Sequence, residues 1–407
     1  MARLIVVGGS LGGLLAANLL VRAGHDVRLL EKSAHSLDGR GAGIVTHEAL
    51  GVGLRRAGVA IGADSGDGLH GLGALGVPVT GRVALDVHGE AVARRALPQV
   101  LTSWSRLYAL LSDALPNGCA TMGRTVAAVD TDEHGVRVRC DSGEAFDADL
   151  LVASDGIRSA VRAQLAPEVQ PRYAGYIAWR GVCDEAWLSR HTRSTLFEQF
   201  GFGLPAGEQI IGYPVAGAGN ATAPGQRRYN FVWYRPADEH TALPALLTDA
   251  DGELHTNGIA PHKVSWRHVA AMREAARALL APQFAEIVEK TAQPFLQPIH
   301  DLASERLAFG RIALMGDAAF VARPHVGMGV TKAAEDAMAL ADALAAHGAT
   351  PAAWTAYEAA RLAPGQAVVQ RARRLGAYMQ AQGHAGGSAT RRDAEQVLRE
   401  TAVATDS

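Results

Sequence analysis

Residues 3–13 read RLIVVGGSLGG, and residues 14–31 continue LLAANLLVRAGHDVRLLE. Leu4 to Val7 form a short apolar run behind Arg3, glycines then punctuate a turn, and Leu14, Leu15, Leu19 and Leu20 recur at helical spacing. Ala23-Gly24 is a helix stop, and Val27 to Leu30 is a second buried strand ending at Glu31. Strand, turn, helix and strand within about thirty residues make a βαβ unit. The turn Gly8-Gly9-Ser10-Leu11-Gly12-Gly13 fits G-x-G-x-x-G except that Ser10 holds the second glycine place. In that pattern the first glycine makes the turn, the second lets a pyrophosphate approach the backbone, and the third lets helix pack on strand. Glu31 stands 18 residues past Gly13, where a carboxylate accepts hydrogen bonds from both ribose hydroxyls and repels a 2′-phosphate. Together they predict a site for an ADP moiety. The uncharged stretch Leu4 to Val21 also has the length of a secretory or short membrane segment, but that reading leaves its glycines unexplained.

The 407 residues suggest two or three domains, and 48% hydrophobic with 20% charged residues describes a globular chain. Thirty-nine basic against 41 acidic side chains leave a net charge of −2, with no excess to attract nucleic acid or an anionic membrane. Cys119, Cys140 and Cys183 are odd in number and share no C-x-x-C spacing, which fits core residues in a reducing, cytoplasmic setting.

Further along, residues 65–97 read as a β meander, Thr102 to Leu115 as a helix, and Val126 to Val129 with Val136 to Cys140 as a hairpin. A buried strand from Asp149 to Ala153 ends in Ser154-Asp155-Gly156. From Arg172 to Val264 the aromatics Tyr173, Tyr176, Trp179, Phe197, Phe200, Phe202, Tyr213, Tyr229, Phe231, Trp233 and Tyr234 predict an antiparallel sheet. Helical text resumes at Ala270. Arg311 to Met315 is another short strand, leading into Gly316-Asp317-Ala318-Ala319, then Pro324, Gly327 and Gly329, a long helix to Ala346 and further helices to Met379. A tail follows from Gln380, with helix-forming text at Asp393 to Leu398. Three motif-bearing strand ends, at Gly8, Asp155 and Asp317, converge on one sheet edge, where an open α/β sheet binds its ligand. Gly201 to Ala206 imitates the glycine motif, but Pro205 and the aromatics around it place it in a sheet, so a second nucleotide fold is missing. No spacing of His, Cys or carboxylates reads as a metal site, and there is no G-x-S-x-G elbow.

With these three motifs the sequence resembles the group A flavoprotein monooxygenases, the aromatic hydroxylases of the 4-hydroxybenzoate hydroxylase fold, from Met1 to about Met379. Residues 172–181 (RYAGYIAWRG), the Gly39 to Ile44 loop and Arg323-Pro324-His325 look most like the 2,6-dihydroxypyridine 3-hydroxylases and related pyridine hydroxylases. The resemblance implies an α/β chain: a Rossmann-type FAD-binding domain with an inserted, mainly antiparallel β-sheet substrate domain and C-terminal helices. Its expected boundaries are 1–170 for the first part of the FAD domain, with a small β excursion near 65–97, then 171–268 for the substrate domain, 269–379 for the last FAD part and helices, and 380–407 for the tail. It implies non-covalent FAD held by Gly8, Ser10, Leu11, Gly13, Glu31, Lys32, Arg40, Gly43, Asp155, Asp317, Pro324, Gly327 and Gly329, with NADH or NADPH as a transient co-substrate. A flavin C4a-hydroperoxide would then hydroxylate an electron-rich aromatic or pyridine ring. Expected partners are that small substrate and O2, with no nucleic acid and no membrane, in a homodimer.

Three departures stand out. Phe320 follows Gly-Asp-Ala-Ala where the family usually has His, Thr331 stands where Asn is frequent, and Trp104 replaces a helix arginine, with Arg106 two positions on. On the substrate side, His47 is either a base with a pKa near the working range or a helix-start residue. Tyr213 either binds a substrate oxygen or packs, and His325 and Arg323 adjoin the flavin loop, Arg323 as a holder of an anionic substrate. Other flavoenzymes on this scaffold, an oxidase or epoxidase, and a flavin redox sensor without turnover are the rival readings.

Overall fold

The computed structural model describes residues 1–37, 43–63, 66, 69–256, 258–381 and 392–404. The opening sequence folds as strand Arg3–Val7, helix Leu11–Arg22 and strand Asp26–Glu31. These strands sit centrally in a six-stranded sheet whose order is Ala308–Phe309, Ile312–Leu314, Leu150–Ala153, Arg3–Val7, Asp26–Glu31, Ala120–Met122. All neighbours are parallel except the edge pair with Ala308–Phe309. Val7 pairs with both Leu30 and Ala153, and Ala153 with Leu314. That register aligns the strand ends, so Gly8, Glu31, Ser154 and Met315 follow one another along one edge.

Two glycines make the first turn possible. Gly8 has φ +102°, and a Cβ there would lie 2.3 Å from the Ser154 carbonyl oxygen. A Cβ on Gly13 would lie 1.8 Å from the Gly8 carbonyl, so the helix packs this closely only without a side chain.

The aromatic-rich sequence forms four adjacent strands of a nine-stranded sheet. Arg172–Asp184, Arg228–Pro236, Gln209–Val215 and Gln199–Gly203 are its antiparallel centre. Alternation decides its two faces: Tyr229, Phe231 and Trp233 pack with Met272, Phe284 and Ile287 of the helices Trp266–Leu279 and Pro282–Lys290. Val232 and Tyr234 turn the other way, with Tyr176, Phe200, Phe202 and Tyr213. Phe231 and Phe284 are wholly buried, each contributing about 1.5 to 3 kcal/mol by area.

Three expectations change. The β excursion near 65–97 is the hairpin Val77–Leu85 and Ala91–Ser103, and it belongs to this sheet by parallel pairing with Gln199–Gly203. Strand Phe295–Ala303 joins the same sheet through Arg172–Asp184, from beyond residue 268. Both pairings are non-local, which is why local pattern did not show them. After helix Gly329–His347 a single helix, Pro351–Ala381, runs through Pro364 where several were expected. In the tail a short helix, Ala394–Glu400, starts at an Asp393 cap. Among the described residues no helix is long and apolar enough to cross a membrane.

Candidate active site

A cleft of about 390 Å³ opens at the aligned strand ends, lined by Gly8, Ser10, Glu31, Lys32, Trp104 and Asp155 among others. Glu31 is buried; its two oxygens accept from the Gly9 amide at 2.7 Å and the Ser33 amide at 2.8 Å. A carboxylate has further lone pairs beyond those two bonds, so it can still take ribose hydroxyls. Ser10 caps helix Leu11–Arg22 without spending its side-chain oxygen on the cap, and the helix carries no acid in its first turn. Its free first amides suit a pyrophosphate. Trp104 stacks on Tyr108 with ring centroids 4.9 Å apart, so the cleft has an aromatic wall. Asp155 accepts from the Ala160 amide at 2.8 Å through Oδ2, while Oδ1 is buried without a partner. Burial pushes its carboxyl above the usual range. An orphaned buried oxygen beside a cradle of amides fits a bound dinucleotide.

Further along the edge, Ser154 links the halves: Cβ atoms on Gly12 and Gly316 would lie 2.9 and 3.5 Å from its Oγ. Asp317 follows Gly316 and exposes its own surface, yet the protein crowded around it raises its carboxyl pKa. We read this as a carboxylate facing a hollow. Asp336, wholly buried, fixes the turn: it accepts from the Gly316 amide at 3.1 Å and from Arg361 Nε at 2.8 Å, with Lys332 Nζ at 3.7 Å. Pro324–Val326 is one helical turn ended by Gly327 at φ +65°, and helix Gly329–His347 begins two residues later. Gly329 is exposed, and nothing lies within 4 Å of a Cβ placed on it, so the space over this helix N-terminus is open.

Facing this edge is the inner side of the large sheet. Asn230, Tyr213, Phe200 and Arg82 lie in one cross-strand row. Asn230 Oδ1 accepts from the Gly43 amide at 3.3 Å, while its Nδ2 is buried without a partner. Tyr213 packs against Gly43, where a Cβ would lie 2.4 Å from its ring, and burial pushes its hydroxyl up to about 12. Arg180 Nε and Tyr234 Oη on the same side are also buried and unpartnered.

Both histidines are buried, and His47 stands at the N-cap of helix Glu48–Arg56, the helix-start position that was one of its two readings. His47 is buried, with Nδ1 3.0 Å from Thr331 Oγ1 and Nε2 without a partner. Burial lowers its pKa to about 4, with the Arg82 and Arg371 charges adding to it and the Ala402 backbone opposing. It is therefore neutral at working pH. His325 Nε2 lies 2.8 Å from Tyr176 Oη, and burial lowers its pKa to about 3. The Arg323 charge is already paired: its Nε donates to Asp301 at 2.7 Å and its Nη1 to Gln380 at 2.9 Å. The charge was legible, but not its distant partner. Arg40 lies outside the described residues.

Sequence reasoning passed over Asn230, Arg180 and Asp336. A lone polar residue between Tyr229 and Phe231 in a buried strand was the available signal for Asn230. One group with metal-ligand chemistry, Asp249, Glu253 and His255, does come together, but Lys263 Nζ stands 3.1 Å from Glu253 and 3.5 Å from Asp249 and supplies the cation.

Two family models match: an NAD(P)-binding Rossmann-like domain over residues 6–49 and an FAD-binding-like domain over residues 173–301. The chain is 30% identical to 2,6-dihydroxypyridine 3-monooxygenase of Paenarthrobacter nicotinovorans, across 93% of this chain and 91% of that one. It is 31% identical to the aurachin C monooxygenase/isomerase of Stigmatella aurantiaca, across 91% and 88%. The solved 2,6-dihydroxypyridine-3-hydroxylase from Arthrobacter nicotinovorans superposes with a TM-score of 0.85 at 28% identity, covering 95% of each chain. Identity sustained over both chains, with the dinucleotide edge and the facing sheet in place, shows that this chain belongs to the group A flavin monooxygenases, FAD-dependent enzymes that oxygenate aromatic and heteroaromatic rings with NAD(P)H as reductant.

Proposed function

We propose that the enzyme uses O2 to hydroxylate a six-membered aromatic or pyridine ring that already carries an oxygen substituent. The observation that carries this reading is the polar lining of an otherwise apolar sheet face: Asn230 Nδ2 and Arg180 Nε are buried donors with nothing to bond. Tyr213, protonated throughout the neutral range, adds a hydroxyl donor in the same row. Donors of this kind select a flat ring whose oxygen accepts, a phenolate or the oxygen of a hydroxypyridine.

Gly8, Ser10, Leu11 and Gly13 would present the amides for the FAD pyrophosphate, Glu31 and Lys32 would meet the adenosine side, and Asp155 and Asp317 the ribityl region. Pro324, Gly327 and Gly329 would hold the flavin ring, together with Gly43. Bound FAD supplies the redox and oxygen chemistry, while the chain binds, orients and excludes water. The helix N-terminus at Gly329 would favour negative charge on a flavin held there. With its low pKa His47 shapes the site as a neutral group and does not set the pH profile as a base titrating near neutrality. His325, tied to Tyr176, holds the floor of the sheet against the flavin loop. In this reading 1–170 and 269–379 hold FAD and 171–268 recognises the ring; the strands that join the large sheet from outside 171–268 tie the two together. Three free cysteines suit a cytoplasmic setting, and a homodimer, proposed with it, is read by light scattering.

The test is a screen of hydroxypyridines, hydroxynicotinates and hydroxybenzoates for stimulated NADH and NADPH oxidation, with peroxide and hydroxylated product measured together. A ring that stimulates oxidation and is itself hydroxylated supports the proposal. Stimulation by none, or peroxide as the sole product with every ring, overturns it.

A further inference from the structure

Arg82 is wholly buried, yet among the described residues no carboxylate pairs with it. Its guanidinium is spent on backbone carbonyls of one distant segment: Nη1 donates to Leu398 O at 2.9 Å and to Thr401 O, and Nη2 donates to Ala402 O at 2.9 Å. Gln99, which receives Arg82 Nε at 3.2 Å, donates to the same Ala402 oxygen at 3.1 Å. Arg371 binds the segment from the other side, donating to Glu400 O and Val403 O at 2.9 Å each. A cation among helix-end carbonyls is favourable, but so many donors on one short stretch specify its place as well as its stability.

What the segment touches is the loop before helix Gly329–His347. The Ala402 amide donates to His325 O at 2.8 Å, and a Cβ on Gly327 would lie 3.0 Å from Ala402. Ala402 itself holds φ +52°, a left-handed conformation that a residue with a Cβ keeps only where its surroundings over-determine it. Arg82 also stands in the row that contains Asn230 and Tyr213, with Phe200 between, its guanidinium 5.2 Å from the Phe200 ring centre.

We propose that Arg82 is a positioning residue: it pins residues 398–402 against the Pro324–Gly327 loop, so that this distant segment forms one wall of the reaction site. The inference rests on the reading of that loop as the flavin loop. Its consequence is specific. Loosening the segment loosens the loop and admits water to the ring, while the dinucleotide edge at Gly8 and Glu31 is untouched.

Arg82→Gln and the milder Arg371→Gln test it in the full-length holoenzyme, read by FAD content, by hydrogen exchange of residues 394–404 and 324–329, and by peroxide formed per NAD(P)H oxidised. Both variants are expected to retain FAD, with exchange in both regions faster by roughly tenfold or more for Arg82→Gln, the protection its lost bonds represent. Peroxide should rise several-fold, and Arg371→Gln should show the same pattern at smaller size. Faster exchange confined to 394–404, with loop exchange and peroxide at wild-type levels, would overturn the proposal, as would no change in either region. Should Arg82→Gln fail to fold, Arg371→Gln decides. The exchange arm is repeated in flavin-free protein; a loop that follows the segment there supports the latch even if the wild-type enzyme proves to hydroxylate nothing.

Discussion

Glu31 illustrates how a single carboxylate serves both fold and ligand. It ties the Gly9 and Ser33 amides together while keeping lone pairs for a ribose, so Glu31→Ala unmakes two buried bonds as well as the ligand contact. FAD affinity, measured by fluorescence titration of the flavin-free protein, should fall by roughly 1 to 3 kcal/mol; unchanged affinity would remove Glu31 from the site. The histidines make a prediction about acid. His47 and His325 are held neutral by burial, with pKa values of about 4 and about 3. Below the ordinary value of 6.5 the unfolded chain takes up protons that the native chain refuses, so stability is full above pH 6.5 and is lost as pH falls toward these values. For His47 alone the loss reaches about 3 kcal/mol at 1.36 kcal/mol per unit. Melting temperature against pH should flatten in this window for His47→Gln; an unaltered curve would contradict the burial argument. Tyr213→Phe and Asn230→Ala should raise the KM for the ring with a smaller effect on kcat, since both are placed to bind rather than to react.

Among the elements, helix Gly329–His347 shows where pattern reading works and where it stops. Its alanine-rich periodicity and glycine start are local, and its bounds lie close to those read from the sequence. The role of Asp336 is not local: an acid on such a helix reads as solvated, whereas here it faces Gly316, Arg361 and Lys332 in the interior. Asp336→Ala should therefore cost about 3 to 5 kcal/mol, because Arg361 and Lys332 are left as buried charges with less compensation. Urea unfolding measures it; a loss under about 1 kcal/mol would mean that the pair is dispensable. The same distinction explains Arg323, whose proximity to the flavin loop was readable and whose commitment to Asp301 was not.

At the scale of the molecule, the dinucleotide half was legible because its determinants, Gly8 to Gly13 and Glu31, fall within one βαβ unit. The substrate half was legible only as aromatic text. Its sheet joins strands from residues 43–45, 77–103, 172–236, 295–303 and 320–321, and no local periodicity states which strand pairs with which. Docking of residues 398–402 on Arg82 was invisible for the same reason. Turnover under ¹⁸O₂ with the best ring from the screen shows whether one ring is enclosed between the two halves and oxygenated there. One labelled oxygen atom is expected in the hydroxylated ring for each NAD(P)H consumed by a protein that releases FAD on acid precipitation. Label found only in peroxide or water, with the ring returned unchanged, would contradict it.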